Sequence, residues 1–472
     1  MKTQKNHLYL LLLLMMTFFS CGEEKDSEPK NLSIDPESIT VSESGETTII
    51  SIVTNSDWQA NSTSDWITFS PSFGSGNDQL DVEVMANPNP ESREGNVRIS
   101  ISGIVRNLKI VQLAGVASKP DYYIPADENG MRPVSSLELS RLMGAGWNLG
   151  NSLEAIGGET AWGNPLVTPD LIQQVKNAGF NSVRIPVAWS KFITNETYEI
   201  DPLWLDRVEE VVNYALDQGM FVILNNHWDG GWMQPTYTAQ SQVNERLEKI
   251  WIQVALRFRD YDDHLLFAGS NEVMVEGNYN APSQENVLVQ NGFNQVFVDA
   301  VRATGGKNAF RHLVVQSFNT NVDYGIQSLE IPEDEAEDRL MVEVHYYDPW
   351  EFALREDDLI SQWGTAAKDE GKKATWGNEA HVSSQFKKLK DTFIDSGIPV
   401  IVGEFGAISK PSDPQNHLSR KHYLEFLTSE MKENGLIPFY WDNGFDGKYG
   451  FALFDRKNGN VLYPDLVEGL VK

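Results

Sequence analysis

Two glutamates are the residues from which chemistry can be built. Glu272 follows Asn271 just past the apolar run 265–270, and Glu404 lies near the end of the run 399–405. A pair of carboxylates across one site can hydrolyse a glycosidic bond with retention, one attacking the anomeric carbon and the other protonating the departing oxygen. The neighbouring residue types suit that task. Asn271 can hydrogen-bond a sugar 2-hydroxyl, and Arg184 can keep a carboxylate ionised and oriented. His345 and Tyr347 can donate to the second carboxylate, while Trp441 offers its apolar face to the C–H groups of a pyranose ring.

The elements that must position these residues are eight strand-like apolar runs, at 146–150, 182–187, 220–226, 265–270, 312–317, 340–346, 399–405 and 437–442. Helical periodicity fills most of the gaps, at 170–178, 205–218, 244–261, 287–303, 384–396 and 419–434. Eight such repeats predict an α/β fold, a (β/α)8 TIM barrel with insertions. An open doubly wound sheet is the competing arrangement. Against it, no Gly-x-Gly-x-x-Gly follows the first run, and polar residues end nearly every strand instead of marking one switch point. Those ends carry Asn148, Arg184, His227, Asn271 with Glu272, His345 with Tyr347, Glu404 and Trp441, on the barrel face where active sites sit. Period-two alternation puts Glu343, His345 and Tyr347 on one side of the sixth strand, with Glu343 a pleat deeper as a paired, buried carboxylate.

Composition narrows the partners. In 472 residues, 38 Lys and Arg stand against 67 Asp and Glu, and the formal charge of −29 repels nucleic acid while leaving a neutral polymer unaffected. A single Cys excludes an intramolecular disulfide or a thiolate metal cluster. The eight His include no His-x-His or His-Glu-x-x-His, so no metal and no cofactor is implied, and the chain is expected to work as a monomer. The acidic run 333–338 lacks the Gly-turned spacing of a calcium loop and reads as a solvated loop. On the loops, Asp229, Glu276, Asp348 and Asp442 could touch sugar hydroxyls, and Trp162, Trp228, Trp363 and Trp376 could wall a cleft. Trp232 and Trp350 are the expected sugar platforms.

The amino-terminal third has a different grammar. Lys2 and Lys5 precede an apolar run from Leu8 to Phe19 that is too short to span a bilayer of about 30 Å, and Ser20-Cys21 follows. Residues 1–20 resemble a bacterial lipoprotein signal peptide. The resemblance implies cleavage before Cys21 and lipidation of that residue, with the acidic tether 21–30 similar to a surface-export signal of Bacteroides-group lipoproteins. The protein is therefore expected on the outer membrane, facing the cell surface. Residues 31–114 alternate in short runs broken by Gly, Pro, Asn and Ser, which predicts a small all-β immunoglobulin-like sandwich. Asp65-Trp66-Ile67-Thr68, Gly74-Ser75-Gly76, Ala86-Asn87, Arg93-Glu94-Gly95 and Ile110-Val111-Gln112 resemble a BACON domain. That family's name implies carbohydrate binding, but a spacer is favoured, because Trp58 and Trp66 can equally be core residues. Residues 115–134, with three prolines, read as a linker to the barrel at 135–472.

The barrel motifs together resemble glycoside hydrolase family 5, in its endoglucanase and xyloglucanase branch. Gly146-Trp147-Asn148-Leu149-Gly150-Asn151, Val183-Arg184-Ile185-Pro186-Val187 and Leu224-Asn225-Asn226-His227-Trp228 carry the first part of the likeness. Ser270-Asn271-Glu272, Val344-His345-Tyr346-Tyr347, Val402-Gly403-Glu404-Phe405-Gly406 and Tyr440-Trp441-Asp442-Asn443-Gly444 complete it, in order. The resemblance implies Glu272 as acid/base, Glu404 as nucleophile, and Asn148, Arg184, His227, Asn271, His345, Tyr347 and Trp441 as the substrate-binding shell. Val273 departs from the pattern, where many members have Pro. The implied activity is retaining hydrolysis of internal β-1,4 linkages in a plant cell-wall glucan, xyloglucan first. The alternatives are a β-mannanase, a mixed-linkage β-glucanase, or a non-catalytic surface glycan-binding lipoprotein.

Overall fold

The computed structural model describes residues 29–89, 91–114, 119–193, 197–228 and 230–472. The signal segment, Cys21 and Asp229 lie outside the described residues. The chain divides into two units, Met1–Lys119 and Pro120–Lys472.

The first unit has two sheets. One orders the strands Leu32–Asp35, Glu46–Thr54, Asp78–Val84 and Ile67–Ser70; the other orders Ser38–Val41, Ile104–Gln112, Arg93–Ile101, Asp57–Ser62 and Phe73–Ser75. Inward positions alternate with exposed ones, so Ile50, Ile52, Leu80, Val82, Val97, Ile99, Leu108 and Ile110 form a common core. Trp58 belongs to that core, and Trp66 is half-buried with the Arg93 guanidinium 4.3 Å from its ring. Both tryptophans are therefore occupied within the module.

The second unit closes eight parallel strands into a barrel: β1 (Gly146–Leu149), β2 (Ser182–Ile185), β3 (Phe221–Asn225), β4 (Leu265–Ala268), β5 (Leu313–Gln316), β6 (Leu340–Tyr346), β7 (Val400–Phe405) and β8 (Ile437–Asp442). Side chains that accept backbone N–H groups start many of the helices, among them Ser135, Thr168, Thr236, Ser283 and Asn378. Residues 120–134 correct the expected linker: they pack on the barrel unit. Ile124 bridges Gly305, Asp127 N–H donates to the Gly306 carbonyl at 3.1 Å, and the Arg132 guanidinium sits 2.7 Å from buried Asp263. The acidic run 333–338 is the exposed loop expected at Glu333, Glu335, Glu337 and Asp338, but Asp334 departs from it: its carboxylate accepts from Nε and Nη2 of Arg302 at 2.7 Å and is not solvated.

Two layers fill the barrel interior. Below, Phe221, Ile223, Leu266, Ala268, Val314, Met341, Ile401, Ile437 and Phe439 make an apolar floor, joined by Leu139 and Met143 of the helix Ser136–Met143. Above it, the next inward positions turn polar: Asn148, Arg184, Asn225, Gln316, Glu343 and His345 are all buried. Strict alternation from Ile401 would put Gly403 inward and Glu404 outward. The strand register prevents this. Val344 pairs with Val402 but His345 pairs with Glu404, so Gly403 is one extra residue in β7, and the bulge turns Glu404 into the site. A Cβ on Gly403 would lie 2.0 Å from Glu343 Oε1. Gly403→Ala should therefore displace Glu343 and lower kcat by about 100-fold, the cost of moving a supporting group by an ångström. Steady-state kinetics giving kcat within threefold of wild type would contradict this packing.

Candidate active site

Arg184 is the centre of the polar layer and is fully buried. Its Nη1 reaches Glu404 Oε1 at 2.9 Å and Asn148 Oδ1 at 3.0 Å, and its Nη2 donates to Asn271 Oδ1 at 2.7 Å. Nε pairs with Glu343 Oε1 at 2.9 Å, an ion pair too far off line for a hydrogen bond. Asn148 is itself held by the Gly403 carbonyl, which accepts from its Nδ2 at 2.8 Å. Strands β1, β2, β6 and β7 and the end of β4 thus converge on one guanidinium.

His345 links the carboxylates. Its Nδ1 lies 2.7 Å from Glu272 Oε1 and 3.7 Å from Glu404 Oε2, and its Nε2 lies 3.2 Å from Glu343 Oε1. The sequence expectation that His345 donates to Glu404 is thereby corrected: its close partner at Nδ1 is Glu272. Tyr347 does reach Glu404, donating its hydroxyl to Oε2 at 3.1 Å. Burial opposes charge on His345, but Glu404 and the hydrogen bonds to Glu272 and Glu343 raise its pKa to about 9. Burial also disfavours ionised Glu343, yet Arg184, His345 and the 2.7 Å bond from Gln316 Nε2 bring it below the ordinary carboxylate range.

Glu404 departs from expectation. Donors and a nearby cation suggest a lowered pKa, but burial raises it; His345 and Arg184 pull it down, while Glu272 and Glu343 add to the rise. Three carboxylates face two cations, so one shared proton makes the cluster neutral. Oxygens of Glu272 and Glu404 come within 4.8 Å of each other, with His345 between them. That separation suits the roughly 5–5.5 Å pair of retaining hydrolysis and not the ~6.5–9.5 Å pair that leaves room for a water.

Sugar-sized space flanks the pair. A cavity of about 350 Å³ on the loops after β3 and β4 is lined by His227, Trp228, Trp232, Asn271, Glu272 and Tyr279, among others. Trp232 is braced by the Arg246 guanidinium 4.4 Å from its ring. Trp441 lies parallel to His227 at 5.9 Å, and burial with Arg184 nearby pushes the His227 pKa well down, so that ring is neutral. Gly150 makes room for this tryptophan: a Cβ there would sit 2.9 Å from the indole. A second cavity of about 520 Å³, on the loops after β1, β6 and β8, is lined by Trp162, Asn164, Phe445 and Tyr449 among others.

The remaining loop candidates separate cleanly. Glu276 lines the first cavity. Asp442 is buried, accepting from Trp147 Nε1 at 3.0 Å, from the Leu453 and Gly444 amides and from Arg456, so it holds the β8 loop. Asp348 is held by His381 at 3.4 Å. Trp363 is a packing residue bonded to the Gly377 carbonyl, and Trp376 bonds Glu351. Trp350 is exposed with Arg355 5.7 Å from its ring and lines neither cavity. Sequence reading missed Gln316 as a donor to Glu343; its inward parity on β5 was the available signal.

A closed parallel barrel with two carboxylates at the ends of β4 and β7 defines a glycoside hydrolase site. Residues 148–447 match the model for cellulase, glycosyl hydrolase family 5, and residues 31–115 match that for the viral BACON domain. The chain belongs to glycosyl hydrolase family 5. It is 40% identical to a xyloglucan-specific endo-β-1,4-glucanase of Bacteroides ovatus, over 99% of this chain and 96% of that one. An endoglucanase A of Paenibacillus barcinonensis is 42% identical over 72% of this chain and 91% of its own. Among solved structures, a Bacteroides ovatus family 5 xyloglucanase bound to a XXXG heptasaccharide superposes with a TM-score of 0.72 at 38% identity, covering 93% of this chain and 99% of that one.

The charge on His345 gives a pH test. A folded pKa near 9 against about 6.5 unfolded means its stabilising contribution is full below pH 6.5 and lost as pH rises through 9. The difference in unfolding free energy between wild type and His345→Gln should shrink across that window. A difference that stays constant from pH 6 to 10 would show that the folded ring carries no such charge.

Proposed function

We propose that this hydrolase cuts internal β-1,4 linkages of xyloglucan, with Glu404 as nucleophile and Glu272 as acid/base. Glu404 attacks the anomeric carbon while Glu272 gives its proton to the departing glycosidic oxygen. Glu272 then takes a proton from water, whose oxygen displaces Glu404 from the sugar. The observation that carries this reading is the approach of Glu272 and Glu404 within 4.8 Å, bridged by His345. The more exposed of the two, Glu272, lines the cavity after β3 and β4, as a group that meets both leaving group and water must. Xyloglucan is the first substrate because the Bacteroides ovatus relative that spans both units is xyloglucan-specific.

Hydrolysis of xyloglucan, mixed-linkage glucan, carboxymethylcellulose and mannan, with sizing of products, tests the substrate. Xyloglucan should give the highest kcat/KM and mid-chain fragments; a preference for mannan would overturn it. Glu404→Gln should abolish turnover of every substrate. Glu272→Ala should keep activity on aryl glycosides with good leaving groups and gain rate with azide, and no azide response would count against its role.

The amino-terminal Lys2, Lys5, apolar run and Cys21 support a further part of the proposal, lipid anchoring at the outer membrane. Cys21→Ala should release active enzyme into the soluble fraction. Retention of that variant in the membrane pellet would refute the anchor.

A further inference from the structure

Asn226 stands out in the wall of the first cavity. It is 1% exposed, yet it lines the space beside Glu272. Its Nδ2 finds only a sulfur, Met233 Sδ at 3.3 Å, and its Oδ1 has no hydrogen-bond partner among the described residues. Exchanging the two ends of the amide would turn the oxygen onto the Met233 thioether, which has no proton to give, and leave the amino group unmatched as well, so at least one polar atom remains over in either orientation. Buried amides are almost always satisfied, so an unmatched one in a cavity wall calls for an explanation. Gln234 in the same wall behaves in the ordinary way, spending Nε2 on the Gly231 carbonyl and Oε1 on the Glu276 amide.

The side of the site follows from which carboxylate shares the space. The cavity is lined by Glu272 and Asn271 but not by Glu404, Tyr347 or Trp441. A space that sees the proton donor and not the nucleophile receives the departing half of the substrate. We propose that Asn226 is a specificity-determining residue that hydrogen-bonds a hydroxyl of the sugar on the leaving-group side, selecting a glycan leaving group over a non-sugar one. Met233 and Trp232 supply the apolar wall against which that ring lies. This inference rests on the division of labour between Glu272 and Glu404 proposed above.

The test compares two substrates on full-length enzyme: xyloglucan, and an aryl β-glycoside of a xyloglucan oligosaccharide, whose leaving group carries no sugar hydroxyl. Asn226→Leu should lower the ratio of kcat/KM values, polymer over aryl glycoside, by about tenfold. Asn226→Asp, which keeps an acceptor oxygen, should hold that ratio within about threefold of wild type. A ratio within twofold of wild type for Asn226→Leu overturns the inference, as does an equal fall on both substrates, which marks a purely structural role. Wild-type enzyme inactive on both substrates overturns the hydrolase reading and this inference with it, an outcome distinct from an unchanged ratio in an active enzyme.

Discussion

The site depends on one buried cation. Arg184 is fully buried, and Glu343, Glu404, Asn148 and Asn271 lie directly against its guanidinium. Each partner comes from a different strand or strand end, so the guanidinium fixes the relative positions of β1, β4, β6 and β7 at the mouth of the barrel. Removing Arg184 would leave Glu343 and Glu404 buried without their cation, at a cost of about 3–5 kcal/mol. Glu343 is the partner that makes the arrangement possible. It binds Arg184, His345 and Gln316 at once and stays ionised, which leaves Glu404 free to turn its second oxygen toward Tyr347 and the substrate space.

His345 extends this order to Glu272. With one ring nitrogen on each of two glutamates, a charged imidazole holds the exposed carboxylate at a set distance from the buried one. Further out, Asp442 and Arg456 tie the β8 loop to the barrel, and Arg456 and Asn164 both reach the Gly150 carbonyl, so the ground beneath Trp441 is polar and cross-linked.

Much of this was legible in the sequence because it rests on period and residue type. Eight apolar runs with polar ends locate the barrel and its functional face, and parity alone puts Glu343 beneath His345. What escaped has a physical cause in each case. The extra residue at Gly403 breaks the alternation locally, and only strand register reveals that it turns Glu404 inward. The pairing of His345 with Glu272 is a contact between β6 and the end of β4, set by side-chain geometry that no local pattern encodes. The upward push on Glu404 comes from burial and from other carboxylates, whereas the sequence displayed its donors. Trp350 and Trp363 are alike as letters, yet one is exposed outside both cavities and the other is packed in the core.

Retaining hydrolysis requires Glu272 and Glu404 to act as a close pair, with a bond from Glu404 to the sugar that forms and then breaks. Proton NMR of the reducing end released in the first minutes, before mutarotation, reads this directly. A first-formed product in the β configuration is the predicted result, since two displacements at the anomeric carbon restore the original hand. An α product would mean a single displacement by water and would contradict the pairing of Glu272 with Glu404.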